Sequence, residues 1–315
     1  MVKFIIQAIA FFLICIIAFI GFVLFNLNFV PASTNEYMQG AFDKHMHLYD
    51  SRPQIILIGG SNLAFGMDSA QLEEAFDMDV ANMGLHAGLD LNFMLDSVKY
   101  EISKDDTVVV LMEYNNYTNS PLHDQDTIYR YVKYYPFALR FVDFNIYGNM
   151  FINEIPAIIK SGMLNLQNYL KTKKVRYNGI YDRNGFNKYG DLTAHWELGV
   201  GNPDNYGTIL PEKTTINEAA VKYLEDFCYY LKNKVGVKEV YIGFPPACKG
   251  NINEANAKMV DERLRKSTAF TVIGSYDRYI LNSKYFYDTF YHLNGEGAKL
   301  RTSMLVEDLS PYFKS

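Results

Sequence analysis

Gln54-Ile-Ile-Leu-Ile-Gly-Gly-Ser-Asn62 decides how this chain folds. An aliphatic, β-branched run that stops at two glycines and a serine predicts a buried strand, Gln54–Ile58, delivering a hydroxyl to a tight turn. Far along the chain stands Asp288-Thr-Phe-Tyr-His292-Leu-Asn294. A serine alcohol becomes a useful nucleophile when a base takes its proton and a carboxylate orients that base. Ser61, His292 and Asp288 are therefore the candidate catalytic residues.

Outward from the turn the chain alternates between two periods. Strands are predicted at Asp79–Asn82, Thr107–Met112, Glu239–Phe244 and Ala269–Ile273. Thr107–Met112 is apolar throughout, as a strand covered on both faces should be. Helices are predicted over Asp68–Phe76, around Leu91, Met94, Leu95, Val98 and Ile102, from Thr215 to a stop at Gly236, over Asn256–Lys266 and over Gly295–Leu309. Asp68 with Gln71 and Thr215 with Glu218 read as capping boxes. Such alternation implies an α/β fold, a mostly parallel five-stranded sheet between two helical layers.

Phe4 to Phe25 is apolar, with Gln7 the one clearly polar side chain. At a rise of about 1.5 Å per residue this stretch is long enough to cross a bilayer. Residues 1–30 read as a retained transmembrane anchor, since signal-peptide cores are shorter, about 7–15 residues. Ala32-Ser33 is the alternative, a cleavage site. Lys3 before the span and Glu36 after it favour a cytoplasmic N-terminus. The domain beyond would then be extracytoplasmic on a single-pass plasma-membrane protein. Residues 31–52 read as a polar linker and 53–315 as one α/β domain. Within it, 115–210 loses the rhythm and reads as an aromatic-rich insertion of short helices and loops.

A net charge of −5 gives no electrostatic footprint for nucleic acid. Cys15, Cys228 and Cys248 form no disulfide scaffold and are expected to be free thiols. His45, His47, His123 and His195 are scattered without ligand spacing, so neither metal nor cofactor is expected. His86 reads as a hydrogen-bonded loop histidine. Tyr129, Tyr131, Tyr134, Tyr135 and Trp196 read as core in preference to a sugar-stacking or membrane-facing surface.

In sheets of this kind reactive groups collect beyond the carboxyl ends of the strands. Ser61 follows the first strand, Gly84 the second, and Asn115 with Asn116 the third. The backbone N–H groups of Ser61 and Gly84 are candidate oxyanion donors, with an asparagine side chain as a third. The sequence leaves open whether Asn115 or Asn116 has that role, or whether both are structural.

Together these residues resemble the SGNH (GDSL-like) hydrolase superfamily over about 53–115 and 238–310. Gly59-Gly60-Ser61-Asn62 stands where that family carries its Gly-Asp-Ser block. Gly84 stands at its oxyanion glycine, Glu113-Tyr114-Asn115-Asn116 at its Gly-x-Asn-Asp block, and Asp288–His292 at its Asp-x-x-His, one residue longer. The resemblance implies a flavodoxin-like three-layer α/β/α fold and serine-dependent acyl chemistry. The His-Leu-Asn…Gly ending and the anchor look more like the branch linked to O-acylation of cell-surface polymers, the teichoic acid D-alanylation proteins included. That branch implies transfer of an acyl group, by O-acetylation or a related acylation, from a donor to a polysaccharide or other polymer. It often works beside a multi-spanning membrane acyltransferase. An esterase or deacetylase of the same fold is the first alternative. A non-catalytic anchored glycan-binding or scaffold protein is the second.

Overall fold

The computed structural model describes residues 1–28, 36–50, 53–119, 124–142, 155–172, 179–199 and 207–313. The chain forms two compact units, one from residues 1–42 with 129–184, the other from 43–128 with 185–315.

Among the described residues the second unit holds seven strands: β1 (Gln54–Ile58), β2 (Asp79–Asn82), β3 (Thr107–Val110), β4 (Val240–Ile242), β5 (Ala247–Cys248), β6 (Thr271–Val272) and β7 (Ile280–Leu281). Five of them make one sheet in the order β2-β1-β3-β4-β6, and every neighbouring pair is parallel. The mostly parallel five-stranded α/β sheet read from the sequence is present. The small parallel pair of β5 and β7 was not legible there.

Burial explains the central strand. Ile55, Ile56, Leu57 and Ile58 are all sealed from solvent, because helices cover both faces. Alternate residues point the same way, so Ile55 and Leu57 join Val80 and Val109 in one cluster. Leu72 from helix α4 (Ser69–Phe76) and Leu305 and Leu309 from helix α10 (Gly295–Phe313) close that cluster. Ile56, Ile58, Val108 and Val110 face the other way and are equally buried. Elsewhere in the unit α5 (Leu91–Val98) packs on α8 (Glu218–Tyr230), and α9 (Glu254–Leu264) precedes β6.

Several boundaries differ from the sequence reading, each for a local reason. Neither capping box forms: α4 has no side-chain cap at Asp68, and Gln71 instead donates to Ser303 Oγ. Helix α8 is capped by Asn217, whose Oδ1 accepts the Ala220 N–H, and not by Thr215. The stop at Gly236 is as expected, a left-handed residue with φ 91° that a side chain would strain. The polar linker is helical over α2 (Gly40–Asp50), where Ala41, Lys44, His45 and Leu48 are buried.

In the first unit α1 (Val2–Asn28) is exposed along most of its length and is long and apolar enough to cross a membrane. Its last turn is different. Val23, Asn26, Leu27 and Asn28 are buried. A helix end leaves carbonyls without partners, and here side chains supply them. Asn165 Nδ2 donates to Asn26 O (2.6 Å), Gln39 Nε2 to Leu27 O (2.7 Å), and Arg183 to Asn28 O.

Asn165 belongs to α7 (Ile155–Thr172), the long helix of the expected insertion, and α7 packs along α1. The insertion is thus divided: residues 129–184 group with α1, and the rest group with the sheet. Tyr129, Tyr131, Tyr134 and Tyr135, at the end of α6 (Gln125–Tyr134) and just past it, are buried core residues.

Candidate active site

The turn after β1 can be built only with glycines. A Cβ on Gly59 would lie 2.5 Å from Leu111 O, and one on Gly60 would lie 2.3 Å from Glu113 Oε2. Both obstacles come from the exit of β3, the neighbouring strand. Ser61 then opens the short helix α3 (Ser61–Ala64). In a first turn the backbone N–H groups lack intrahelical acceptors. Among the described residues the Ser61 N–H donates to none.

Asn62 fastens this turn to two other elements. Its N–H donates to Glu113 Oε1 (3.1 Å) and its Nδ2 to Leu111 O (3.0 Å). Its Oδ1 and its carbonyl oxygen both accept from the guanidinium of Arg301, on α10, at 2.9 and 2.8 Å. Arg301 is fully buried, and that burial pulls its pKa down to about 10 against the attraction of Tyr279 and Glu113. Glu113 is also sealed from solvent. Groups of this charge stay inside a fold only when paired.

His292 is reached from the opposite end of the chain. Its Nδ1 lies 2.7 Å from Asp288 Oδ1, so the one-residue-longer spacing does not prevent the contact. The backbone closes the segment: His292 N–H donates to Thr289 Oγ1, and Tyr287 N–H to His292 O. The imidazole stacks on Phe65, with ring centres 3.9 Å apart and 6° between planes. Phe65 is one turn beyond Ser61 and donates its N–H to Ser61 O (3.0 Å). This stack brings the His292–Asp288 pair beside the serine turn. Among the described residues no hydrogen bond joins Ser61 Oγ to His292. Such bonds are often long without substrate.

Gly84 also lies against the turn. A Cβ there would meet Leu63 Cβ at 2.2 Å and Gly60 O at 2.7 Å, so close approach demands the glycine. Its N–H is engaged by Asn82 Oδ1 (2.9 Å) rather than free, which the sequence reading did not foresee. Asn82 Nδ2 in turn donates to Leu63 O and to Asp191 Oδ1. Asp191 is fully buried and also holds Ser69 and Asn187; its pKa is raised by desolvation.

The two asparagines after β3 are distinguishable by geometry. Asn115 Oδ1 accepts from Tyr291 Oη (3.5 Å), the residue before His292. Asn116 points inward: it is buried, and its Nδ2 reaches Glu113 Oε2 at 3.4 Å. An open cleft of about 380 Å³ lies at these loops, lined by Asp90, Leu91, Asn92, Asn116, Asn217 and Tyr223.

His86 caps its own loop, accepting the Gly88 N–H on Nδ1. Sequence reasoning missed His195. It is buried on the other side of Phe65 (4.8 Å) and meets Leu293 O through Nε2 at 2.7 Å. Burial lowers its pKa. The position next to Trp196 gave no signal of this. Among the described residues no three His, Cys, Asp or Glu side chains converge, and His123 lies outside them. Cys15, Cys228 and Cys248 are free.

Comparison of the chain with models of protein families, with curated proteins and with solved structures finds no match in any of the three.

Proposed function

We propose that the protein is a membrane-anchored serine acyltransferase of the SGNH type, acting on an extracytoplasmic glycan or related polymer. One observation carries this reading: a 2.7 Å His292–Asp288 pair stacked on Phe65, one helical turn past a serine at a strand exit. The strand order β2-β1-β3-β4-β6 supports it, being the doubly wound order of flavodoxin-like sheets. The apolar α1 supports the anchor, with the sheet unit on the extracytoplasmic side.

In this mechanism Asp288 accepts the His292 Nδ1–H and leaves Nε2 as the base. Ser61 Oγ attacks the acyl carbonyl as Nε2 takes its proton. The oxyanion is met by the Ser61 N–H and the Asn115 side-chain amide, each donor contributing about 3–4 kcal/mol. Gly84 can add its N–H only by giving up Asn82. Collapse expels the donor's leaving group, protonated by His292. A sugar hydroxyl then attacks the acyl-serine, with His292 as base, and releases Ser61. The cleft mixes the polar Asp90, Asn92, Asn116 and Asn217 with the apolar Leu91, Ala219, Ala220 and the Tyr223 ring, a lining that offers both hydrogen bonds and a stacking surface to a sugar acceptor. A multi-spanning membrane acyltransferase would be the source of the acyl group. An esterase would follow the same steps with water as acceptor.

The missing hydrogen bond between Ser61 Oγ and His292 favours a second reading, a non-catalytic anchored glycan-binding protein. A fluorophosphonate probe decides between them. Labelling of the wild type that disappears in Ser61→Ala supports an activated serine, and no labelling under native conditions supports the silent protein.

A further inference from the structure

We propose that His195 is a positioning residue for the His292–Asp288 pair, its Nε2–H bond to Leu293 O fixing where the His292 imidazole stands relative to Ser61. This deepens the acyl-transfer reading of the same site and rests on it.

The pair needs an external brace. Its loop is closed on itself by Tyr287 N–H to His292 O (2.8 Å), His292 N–H to Thr289 Oγ1 (3.0 Å) and the contact of Nδ1 with Asp288 (2.7 Å). An antiparallel bridge between Phe286 and Leu293 shuts the base of the loop. These bonds hold His292 to Asp288, but they do not set where the loop stands over the serine turn. Cys248 N–H reaches Phe290 O at 3.2 Å, and Tyr291 Oη reaches Asn115 at 3.5 Å. The bond from His195 Nε2 to Leu293 O is shorter, 2.7 Å, and it meets the residue next to the imidazole.

His195 also touches the ring on which His292 lies. Phe65 stacks on His292 with ring centres 3.9 Å apart, and His195 packs on Phe65 at 4.8 Å and on Tyr287 at 5.0 Å. The contacts form a closed circuit from His195 through Phe65, His292 and Leu293 back to His195. Phe65 N–H donates to Ser61 O, so the circuit is tied to the turn that carries the nucleophile. The segment bearing His195 is itself fastened there: Leu192 N–H donates to Ala64 O (2.7 Å), which hangs it from α3. A Cβ on Gly295 would lie 2.9 Å from Trp196 Cβ, so α10 opens directly against the residue after His195.

The chemistry suits a brace and not a second base. His195 and Leu293 are both sealed from solvent, so substrate does not reach this imidazole. Burial lowers the His195 pKa and favours the neutral ring. A neutral imidazole has one N–H and a carbonyl only accepts, which assigns the proton to Nε2. An apolar side chain in this place would take the donor away from a buried carbonyl.

Two variants of the full chain in detergent micelles separate the bond from the ring. His195→Phe keeps an aromatic ring against Phe65 and Tyr287 and lacks the donor. His195→Gln loses the ring and keeps an N–H at the same reach along the side chain. Fluorophosphonate labelling of Ser61 should slow about 10²-fold in His195→Phe, the cost of a catalytic group displaced by about an ångström, and stay close to the wild-type rate in His195→Gln. The His292 Nδ1 proton, shifted far downfield by its carboxylate partner and identified by its loss in His292→Ala, gives a second readout by NMR. It should survive in His195→Gln and disappear in His195→Phe. Thermal unfolding checks that each variant is folded, and His195→Met, which also lacks a donor, replaces His195→Phe if that variant is not. A donorless variant that labels at the wild-type rate or keeps the proton unchanged overturns the proposal. So does a loss in His195→Gln as large as in His195→Phe, because the ring and not the bond would then matter. A wild type that is not labelled overturns the acyl reading instead, and the Nδ1 proton alone then decides whether His195 positions His292.

Discussion

The Glu113 carboxylate occupies the space that a side chain at position 60 would need. A Cβ on Gly60 would lie 2.3 Å from Oε2 and 2.5 Å from Oε1. The SGNH-type blocks that this chain resembles carry aspartate where Gly60 stands and glycine where Glu113 stands. Here the residue types are exchanged between them, and a side chain at position 60 would collide with the Glu113 carboxylate. One carboxylate fills the crossing of the two loops, and here it comes from the exit of β3.

Gly60→Asp alone should therefore clash with Glu113, at a cost of about 1–3 kcal/mol from overpacking. Glu113→Gly alone should leave the Asn62 N–H and Asn116 Nδ2 without their acceptor and remove a negative charge that attracts the buried Arg301, costing about 1–3 kcal/mol. The double variant returns one carboxylate to the crossing and should recover part of both losses. Thermal unfolding of the four proteins gives the coupling. Strictly additive losses would mean that the two positions do not share this space.

Ser61→Ala and His292→Ala should each abolish fluorophosphonate labelling, and the double variant should be no worse, because the residues act as one unit. Asp288→Asn should lose most of the labelling rate, since an amide on Nδ1 favours the wrong tautomer. A near wild-type rate in Asp288→Asn would show that another group orients His292.

Asn115→Ala and Asn116→Ala should fail in different ways. Asn115 is partly exposed beside Tyr291, so its loss should lower turnover of a small activated ester about 10²–10³-fold with little change in stability. Asn116 is buried on Glu113, so its loss should appear mainly as a lower unfolding temperature. Equal stability losses with equal activity would remove Asn115 from the oxyanion site.

Lys44 gives a pH signature. It is fully buried, and its Nζ donates to the carbonyl oxygens of Asn82 (2.8 Å) and Gly190. Desolvation pulls its pKa from 10.5 down to about 7, against the attraction of Asp191 and Asp43. Between those two values the unfolded chain holds a proton that the folded chain has released, so stability contributed by this group rises with pH. Denaturant midpoints at about pH 7.5 and 9.5 should rise in the wild type relative to Lys44→Met. The window ends where exposed tyrosines of the unfolded chain ionise, near pH 10. An identical slope in both proteins would place the charge on Lys44 at neutral pH.

The parts of the fold legible in the sequence are those set by local pattern. The β1 run with its two glycines, the five parallel strands and the Gly236 stop all follow from short-range rules. The cap of α8 was misread because Thr215 and Asn217 are both residue types that cap helices, and the sequence does not show at which of them the helix opens. The deeper failures are the buried charges. Lys44, Glu113, Asp191 and Arg301 look like surface residues until partners far along the chain are placed around them. His195 is the same case, since the carbonyl it meets is 98 residues away.

The pairing of α1 with α7 sets an order of events during synthesis. About 130 residues separate the two helices in the chain, and they carry β1, β2 and β3. At roughly 5–20 residues per second, α1 waits on the order of ten seconds before its packing partner exists. During that interval Gln39 can already serve Leu27 O, but the Asn26 and Asn28 carbonyls and the Val23 face need another host. A nascent chain stalled between residues 28 and 155 would therefore carry an incomplete helix terminus, a feature that quality-control factors can recognise.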